Sequence, residues 1–331
     1  MFQAIRMIRK DIVALFIAAV LGGAALVGPG SRALAQSGVP TIRVAVPPSE
    51  DVAPILYALK ADLFTKAGLN VQLTQMTSGA AISAAVAGGA VDVGFSSLQG
   101  LISGHARGLG FQLIAPGGVY NTKDPYALMV VRSDSPIHSA KDFAGKTIAS
   151  PALKDLDWVA SYAWIEKNGG DPKAAKFVEL PNPSLTPALL DGRIDAFTVG
   201  EPWIQRALDT GKVRPLAKSF DAIAPTFLMT GWFATSDYVA KNRDTVEKFL
   251  RVIRDAAEYA DAHHAEMVPL VASFTKLDPQ LVAKTIKNNG SPYLDPKLIQ
   301  PMIDVAARYQ IIDKPFSASD LISPAALKPG R

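Results

Sequence analysis

Three short segments of the chain come close to catalytic or cofactor-binding motifs, and each lacks a required part. Residues 140–147 read A-K-D-F-A-G-K-T, a loose phosphate-loop pattern, but they lead into a predicted strand where that loop must lead into a helix. Residues 94–98 miss the nucleophile elbow because Leu98 stands where a glycine is needed. Gly108 and Gly110 lack the third glycine of a dinucleotide-binding turn. The sequence therefore predicts neither a nucleophilic enzyme nor a nucleotide site.

Metal chemistry is disfavoured for two reasons. His263, His264 and Glu266 form the one histidine cluster of the sequence, and adjacent helix positions point about 100° apart, so both imidazoles cannot face one ion. The chain has no Cys, which excludes thiolate zinc sites, iron–sulfur clusters, disulfides and a lipid on an N-terminal Cys. We predict a protein that is not an enzyme and that holds no metal and no cofactor.

The elements that must position any site occur in two similar copies. Each copy has the predicted order β-α-β-α-β, and the copies occupy residues 41–95 and 146–199. Gly68 and Gly169 end the first helix of each copy and lie 101 residues apart, while Asp92 and Asp195 begin the third strands and lie 103 apart. We expect these two aspartates to hold turns rather than ligands. Short crossovers of this kind predict parallel strands, and so an α/β protein with two similar lobes.

Four further elements are predicted with explicit bounds. They are one continuous helix over 52–67, a short helix over 187–190, a single strand over 227–234 and an amphipathic helix that begins after Asn242. The helices near the C-terminus have no counterpart after the first copy, and we expect them to cover the first lobe.

Polar residues stand in the loops where a ligand would bind. In open parallel sheets, ligands gather beyond the carboxyl ends of the strands, near helix N-termini. The candidates of the first lobe are Ser49, Glu50, Asp51, Ser78, Gly79, Ser96, Ser97 and, on a returning strand, Trp232. Those of the second lobe are Ser150, Asp157, Trp158, Thr198 and Glu201. If the lobes face each other, these loops meet across one cleft suited to a small polar molecule.

Several of these candidates have an equally good structural interpretation. Ser78 is also a good helix cap, whether or not it contacts a ligand. Glu201 precedes a proline and could stabilise a helix start through its charge. Trp158 and Trp232 could fill a core or could form an aromatic wall of the cleft. The sequence leaves these alternatives open.

The N-terminal segment indicates export. Four of the 34 basic and one of the 30 acidic residues lie in residues 1–35, where a basic stretch precedes an apolar run and the site Ala33-Leu34-Ala35. We predict a signal peptide over residues 1–35, cleaved after Ala35, and a mature, unlipidated periplasmic protein. The remaining residues are close to neutral, so they have no electrostatic footprint for nucleic acid.

A resemblance to a known family covers the whole mature chain. The segments that carry it, in order, are residues 54–70, 78–79, 91–94, 142–149, 190–196 and 201–202, and they include A-G-L, V-D-V-G, D-F-A-G-K-T-I-A and D-G-R-I-D-A. The chain resembles the periplasmic substrate-binding proteins of ABC importers, in the nitrate, sulfonate and taurine group related to the NMT1/THI5-like proteins.

The resemblance implies a two-lobed type II periplasmic binding protein fold with a hinge. It implies that residues 36–127 and 231–331 form lobe 1 and residues 128–230 form lobe 2. It also implies a monomer that closes around a small-molecule ligand and delivers it to the membrane permease subunits of an ABC importer. Nucleic acid is not an expected partner.

The ligand itself is left open between two chemistries. Helix N-termini and serines suit an oxyanion such as a sulfonate, nitrate or an aromatic acid. The candidate loops, however, contain several carboxylates and a single cation, Lys154, so an organic ligand with an amine or one acid group fits better than a bare divalent anion.

Two other classes of function remain open at this stage. One is an enzyme that reuses the fold, although the Cys-rich motif of the related pyrimidine-biosynthesis proteins is absent here. The other is a sensory ectodomain, which is disfavoured because no signalling segment follows Arg331.

Overall fold

A computed structural model of the protein describes residues 38–76, 78–285 and 290–326. The predicted signal peptide and its cleavage point after Ala35 lie outside the described residues. From Val39 onward the chain forms one compact unit. Within the described ranges, no helix is both long and apolar enough to cross a membrane.

Twelve strands are present among the described residues. In chain order they are β1 (Thr41–Val46), β2 (Asn70–Gln75), β3 (Val93–Ser97), β4 (Phe111–Pro116), β5 (Val119–Asn121), β6 (Ala127–Arg132), β7 (Thr147–Ser150), β8 (Lys176–Glu179), β9 (Ala196–Gly200), β10 (Val213–Ala217), β11 (Thr226–Leu228) and β12 (Thr230–Thr235).

Thirteen α-helices connect and cover the strands within the same described ranges. They are α1 (Ala53–Lys60), α2 (Leu63–Lys66), α3 (Gly79–Ala87), α4 (Leu98–Ala106), α5 (Leu156–Lys167), α6 (Asn182–Leu190), α7 (Trp203–Leu208), α8 (Ser236–Lys241), α9 (Arg243–Ala262), α10 (His264–Thr275), α11 (Pro279–Lys284), α12 (Pro296–Arg308) and α13 (Ala318–Leu321). Short 3₁₀ turns occur at Glu50–Val52, Ala140–Phe143, Pro172–Ala174 and Ser219–Ala222.

The strands form two five-stranded sheets with the same plan. The first has the order β2-β1-β3-β12-β4 and the second β8-β7-β9-β6-β10. The first three strands of each sheet are parallel, as the repeat predicts. The fourth strand, β12 or β6, is antiparallel to its neighbours on both sides. We call the part built on the first sheet lobe 1 and the part built on the second sheet lobe 2. The α/β fold with two similar lobes is therefore confirmed.

The repeated aspartates make the same contacts in both lobes. The Asp92 carboxylate accepts the backbone N–H of Arg43 on β1 at 2.8 Å, and Asp195 accepts that of Thr147 on β7 at 2.8 Å. Each aspartate also donates its own N–H to the carbonyl of the same residue, again at 2.8 Å. They join the start of the third strand to the first, a structural role rather than a ligand contact.

Two connections run between the sheets, and they pair with each other. Strands β5 and β11 form an antiparallel two-stranded ribbon in which Tyr120 faces Phe227. Strand β6, which follows β5, belongs to lobe 2, while β12, which follows β11, belongs to lobe 1. This crossed ribbon is the natural hinge. The lobe boundaries at 127/128 and 230/231 stay a prediction. The strands place Ala127 in the sheet of lobe 2 and Thr230 in the sheet of lobe 1.

The C-terminal helices pack on lobe 1. Helix α9 lies against α1 and β4, and Phe249 stacks between Phe64 and Trp232 in a buried cluster. Helix α12 lies where the lobes meet, because it packs on α4 of lobe 1, on the hinge strand β11 and on α5 of lobe 2.

Three elements differ from the sequence-based expectation. The helix over 52–67 is interrupted because Asp62 adopts a left-handed φ of 56°, through which an α-helix cannot continue. The short helix begins at Asn182 rather than Pro187, with Pro187 inside it. The strand over 227–234 is split between β11 and β12, because its first residues pair in the hinge and its last residues pair in lobe 1. Both halves are buried, so hydropathy does not reveal the break.

Candidate functional site

A cavity of about 230 Å³ lies between the two lobes. Its walls are the carboxyl ends of the parallel strands and the helix starts that follow them. Lobe 1 contributes Ser49, Asp51, Gly79, Ser96, Ser97 and Thr230, and lobe 2 contributes Tyr126, Asp155, Asp157, Asn182, Glu201 and Trp203, among others. The loops predicted from the two lobes thus include residues that meet in one cleft.

Seven of the thirteen candidate residues line this cavity. They are Ser49, Asp51, Gly79, Ser96, Ser97, Asp157 and Glu201. The position of Gly79 has a steric reason, since a Cβ there would lie 2.5 Å from Ser96 Oγ. A glycine at this point lets the start of α3 approach the end of β3.

The other candidates point elsewhere, and two of them are buried in lobe 1. Trp232 is 2% exposed and packs against Phe95 and Phe249 in the core, because its position on β12 faces α9. Glu50 lines a separate cavity of about 60 Å³ inside lobe 1. Its Oε2 lies 2.5 Å from the hydroxyl of Thr285. Neither side chain lines the interlobe cavity.

Four candidates have structural partners outside the cavity. Ser78 is exposed and caps α3, accepting the N–H of Ala81 at 3.2 Å. Ser150 Oγ donates to the carbonyl of Ala152 at 3.1 Å, and Thr198 Oγ1 accepts from Ser161 at 2.7 Å.

Trp158, the fourth of these candidates, packs on Tyr162 and Phe177 within lobe 2. These side chains stabilise helices and strands next to the cleft. The structure therefore favours the structural alternative for Ser78, Trp158 and Trp232.

One hydrogen bond joins the two lobes across the cavity wall. Ser97 Oγ of lobe 1 donates to Asp155 Oδ1 of lobe 2 at 2.8 Å. The same serine oxygen accepts the N–H of Gly100 at 3.1 Å and so caps α4. Asp155 Oδ1 in turn accepts the N–H of Leu156 at 2.8 Å at the start of α5. A single contact therefore couples the starts of two helices that belong to different lobes.

Tyr126 and Glu201 form the lobe 2 side of the cavity near the hinge. The Tyr126 hydroxyl donates to the Glu201 carbonyl at 2.8 Å, and the Glu201 N–H donates to the Tyr126 carbonyl at 3.1 Å. Gly200 lies against the tyrosine ring, which leaves no room for a side chain there. Glu201 is followed by a cis peptide bond to Pro202, and its Oε2 accepts the N–H of Gln205 at 3.3 Å.

The carboxylates at the cavity have perturbed acidities. Burial raises the pKa of Asp157 to about 8, and the charge of Asp155 adds to the effect. Burial also raises the pKa of Glu201 to about 7, against the opposing hydrogen bond from Gln205. The pKa of Asp155 is raised by burial too, and its bonds from Ser97 and Leu156 oppose this. Desolvation favours the neutral acid wherever no positive charge is near.

Tyr126, Met229 and Thr230 line the cavity although the strand-end rule did not select them. They stand at the start of the antiparallel strands β6 and β12. Because these strands run in the opposite direction, their N-terminal ends lie beside the carboxyl ends of β9 and β3. The feature of the sequence that could have identified them is that the chain crosses from one repeat to the other just before β6 and β12.

Three further contacts, on two sides of the molecule, connect the lobes outside the cavity. Glu166 of α5 accepts a hydrogen bond from Tyr309 at 2.7 Å and pairs with Arg308 at 2.8 Å. On the other side, Lys284 of α11 pairs with Asp209 at the end of α7 at 3.0 Å. In the described ranges, no three His, Cys, Asp or Glu side chains come together in a way that could hold a metal ion.

The fold and the sequence both match known proteins. An aliphatic sulfonates-binding protein, as it is named, of Bacillus subtilis (strain 168) is 22% identical over 300 residues, covering 87% of each chain. The crystal structure of the periplasmic aliphatic sulphonate binding protein of Escherichia coli superposes with a TM-score of 0.73 at 17% identity, covering 88% of this chain and 94% of that one.

A second solved structure, the alkanesulfonate-binding protein of Xanthomonas axonopodis pv. citri bound to MOPS, gives a TM-score of 0.70 at 16% identity, covering 86% of this chain and 98% of that one. The two structures show that the fold is that of the periplasmic binding proteins. The family model described as NMT1/THI5 like matches residues 49–267. The chain therefore belongs to the NMT1/THI5-like family, as its sequence motifs predicted.

Proposed function

We propose that this protein is an exported solute-binding protein that captures a small polar molecule between its lobes and delivers it to an ABC importer. The observation that carries the proposal is the interlobe cavity of about 230 Å³, lined from both lobes at the carboxyl ends of parallel strands. Relatives named as sulfonate-binding proteins, which share most of their length with this chain, support the same role.

The hinge gives a physical basis for capture and release. Two short connections join the lobes, so a rotation there opens the cavity without breaking either sheet. A solute that touches both lobes stabilises the closed arrangement, because it binds the closed form better than the open one. An importer can then distinguish loaded from empty protein by its shape.

Binding and catalysis can be distinguished by chemical analysis of the solute that the protein releases. The protein would be purified from the exported fraction without denaturation and examined by native mass spectrometry. It would then be unfolded, refolded and screened against a library of metabolites by thermal shift. We expect one solute per chain, released chemically unchanged, and a smaller radius of gyration by small-angle scattering when the solute is added.

A matched pair of variants locates the binding event. Asn182→Trp fills the cavity from the start of α6, whereas Lys297→Trp places the same ring in the exposed first turn of α12. We expect the first variant to lose solute binding and the second to keep it. Multiple-turnover conversion of the solute would instead show an enzyme, and wild-type binding by Asn182→Trp would place the solute outside the cavity. N-terminal sequencing of the exported protein should begin at or near Gln36.

A further inference from the structure

We propose that the interlobe cavity takes an organic cation, a small molecule with a protonated amine or a quaternary ammonium group. Asp157 and Glu201 would provide the opposing negative charge. The inference rests on the proposed function and narrows its ligand to one chemical class. It departs from the sulfonate ligands named for the relatives.

The first argument is the charge of the cavity wall. Asp51, Asp155, Asp157 and Glu201 all line it, and they come from three segments, one in lobe 1 and two in lobe 2. Among the described residues that line it, there is no Lys, Arg or His. Lys154, the one cation in the candidate loops, is exposed and does not line the cavity. A sulfonate there would lie beside Asp155, Asp157 and Glu201, and none of the described residues that line the cavity is a cation.

The second argument is that the chain's own oxygens already accept backbone N–H groups at three of the helix starts next to the cavity. Anions bind at helix N-termini through free backbone N–H groups. At the cavity, Ser97 accepts such an N–H of α4, Asp155 accepts one of α5, and Glu201 accepts one of α7. Two of these three acceptors are carboxylates, so the positive ends of these helices face negative charge from the protein itself.

The third argument concerns Asp157, whose carboxylate makes no hydrogen bond within the described part of the chain. It lies in the first turn of α5, two residues from Asp155, and is half-buried in the wall of the cavity. A carboxylate that a bound ligand removes from water needs either a proton or a counter-charge. A bound cation supplies the counter-charge, and a protein that binds one would release a proton as it does so.

The fourth argument is that the cavity suits an organic cation rather than a hydrated metal ion. Tyr126 and Trp203 line it beside Glu201, together with Phe95 and Phe220. Aromatic rings bind the apolar part of an organic ligand, and their faces attract ammonium groups. The acidic side chains are distributed around the wall and are not clustered as metal ligands in the described ranges.

The test uses ligands that share one carbon skeleton and differ in charge. The mature protein, refolded free of solute, would be titrated calorimetrically with 2-phenylethylamine, phenethyltrimethylammonium, 2-phenylethanesulfonate and 3-phenylpropionate. Matched pentyl compounds would form a second set. We expect the cations to bind and the anions to show no heat at concentrations up to about 10 mM.

Two carboxylate variants and one control assign the effect to the cavity. Asp157→Asn and Glu201→Gln should each weaken cation binding by about 10- to 100-fold, since each removes one charged partner. Both variants should fold, because each replaces a carboxyl group with an amide of the same shape. Asp237→Asn removes a carboxylate from the first turn of α8, outside the cavity, and should bind as wild type does.

The pH dependence gives a readout that packing alone would not produce. The quaternary ammonium keeps its charge at all pH values, so any change with pH reports the protein. Asp51, Asp155, Asp157 and Glu201 face the ligand, and Asp157 and Glu201 must lose protons to pair with it. Affinity should therefore rise between pH 6 and about 8, and Asp157→Asn should flatten the rise.

Three outcomes would overturn the inference while leaving the solute-binding function intact. The first is tighter binding of the anions than of the matched cations, with Asp157→Asn improving it further. The second is binding of Ca²⁺, Mn²⁺ or Zn²⁺ at the same carboxylates in place of the amines. The third is recovery of an anionic or neutral solute from the native protein while both cation sets fail to bind. An enzyme or a protein that binds no solute would instead contradict the proposed function.

Discussion

Glu50 illustrates how a residue that sequence reasoning assigned to the ligand can serve the fold instead. The Thr285 hydroxyl lies 2.5 Å from Glu50 Oε2 and 2.7 Å from the carbonyl of Val282. The Thr285 hydroxyl donates to Glu50 Oε2 and is also within hydrogen-bond distance of the Val282 carbonyl, and its bond to Glu50 lowers the pKa of that acid. Burial is the larger effect and raises the pKa of Glu50 to about 8, so the folded protein holds this acid in its neutral form near pH 7.

A proton held by Glu50 makes the stability of the protein depend on pH. In the unfolded chain this acid ionises near its ordinary pKa, whereas in the folded protein it keeps its proton up to about pH 8. Stability is therefore lost as pH rises from about 4.5 to about 8, because the folded state binds the extra proton. Asp51 and Glu201 oppose ionisation, and His264 Nδ1 lies 3.9 Å from Glu50 Oε1.

Glu50→Gln tests this interpretation. The amide oxygen can still accept from Thr285, so stability near pH 7 should be kept, but its contribution no longer changes with pH. We expect the fall in unfolding free energy between pH 5 and 8 to shrink, relative to wild type, by on the order of 3 kcal/mol. The measurement is urea unfolding across that range. Glu258→Gln, at an exposed position, should keep the wild-type slope; an unchanged slope in Glu50→Gln would contradict the assignment.

At the scale of elements, two helices of lobe 1 begin with a serine cap, and the two serines differ in their other contacts. Ser78 caps α3 and Ser97 caps α4, each by accepting a backbone N–H three residues on. The Ser97 hydroxyl additionally donates its hydrogen to Asp155 of lobe 2. The two serines should therefore contribute similarly to the free energy of unfolding as helix caps. Their contributions to the closed arrangement of the lobes should differ.

This pair of serines gives a controlled substitution. Ser78→Ala and Ser97→Ala should each lower the unfolding free energy by about 1 kcal/mol, the usual effect of losing a cap. Solute affinity, measured by calorimetry, should stay at the wild-type value in Ser78→Ala. It should fall by about 3- to 30-fold in Ser97→Ala, because Asp155 loses a partner that holds the closed lobes together. Equal solute affinities in the two variants would show that the hydrogen bond from Ser97 to Asp155 does not contribute to solute binding.

At the scale of the whole molecule, contacts on both sides of the cavity hold the lobes against each other. Tyr309 and Arg308 converge on Glu166, and Tyr162 packs edge-on against Tyr309 with 5.0 Å between ring centroids. Lys284 and Asp209 form the contact on the opposite side. Because every one of these contacts joins the lobes, opening at the hinge must break them.

Glu166→Ala should therefore shift the solute-free protein toward an open form. An exposed ion pair contributes little to the free energy of closing the lobes, but the hydrogen bond from the Tyr309 hydroxyl to the Glu166 carboxylate adds to it. The two contacts together should contribute about 1–2 kcal/mol. Small-angle scattering should show a larger radius of gyration without solute, and affinity should fall by no more than about 20-fold. Glu247→Ala breaks comparable pairs, with Arg243 and Arg251, inside α9 alone, and should change neither quantity. A wild-type radius of gyration in Glu166→Ala would show that these contacts do not influence closure.

The sequence by itself determined most of the elements, the repeat and the edge of the sheets at which the interlobe cavity lies. Residue periodicity identifies strands and helices locally, and the paired glycines and Asp92 and Asp195 mark equivalent points of the two copies. The rule that ligands bind beyond strand ends then selects Asp51, Ser97 and Asp157 without knowledge of any contact. Local patterns suffice here, because strand ends and helix starts are set by residues adjacent in sequence.

The tertiary structure alone decided where side chains point and what lies beside them. Trp232 faces the core and Glu50 faces an inner cavity, because strand register and helix packing, which are long-range, set those directions. Tyr126 and Thr230 reach the cavity because their strands run antiparallel to their neighbours, which is known only once the crossover has been formed. The acidic character of the cavity is likewise a tertiary property, since its four carboxylates come from segments up to 150 residues apart.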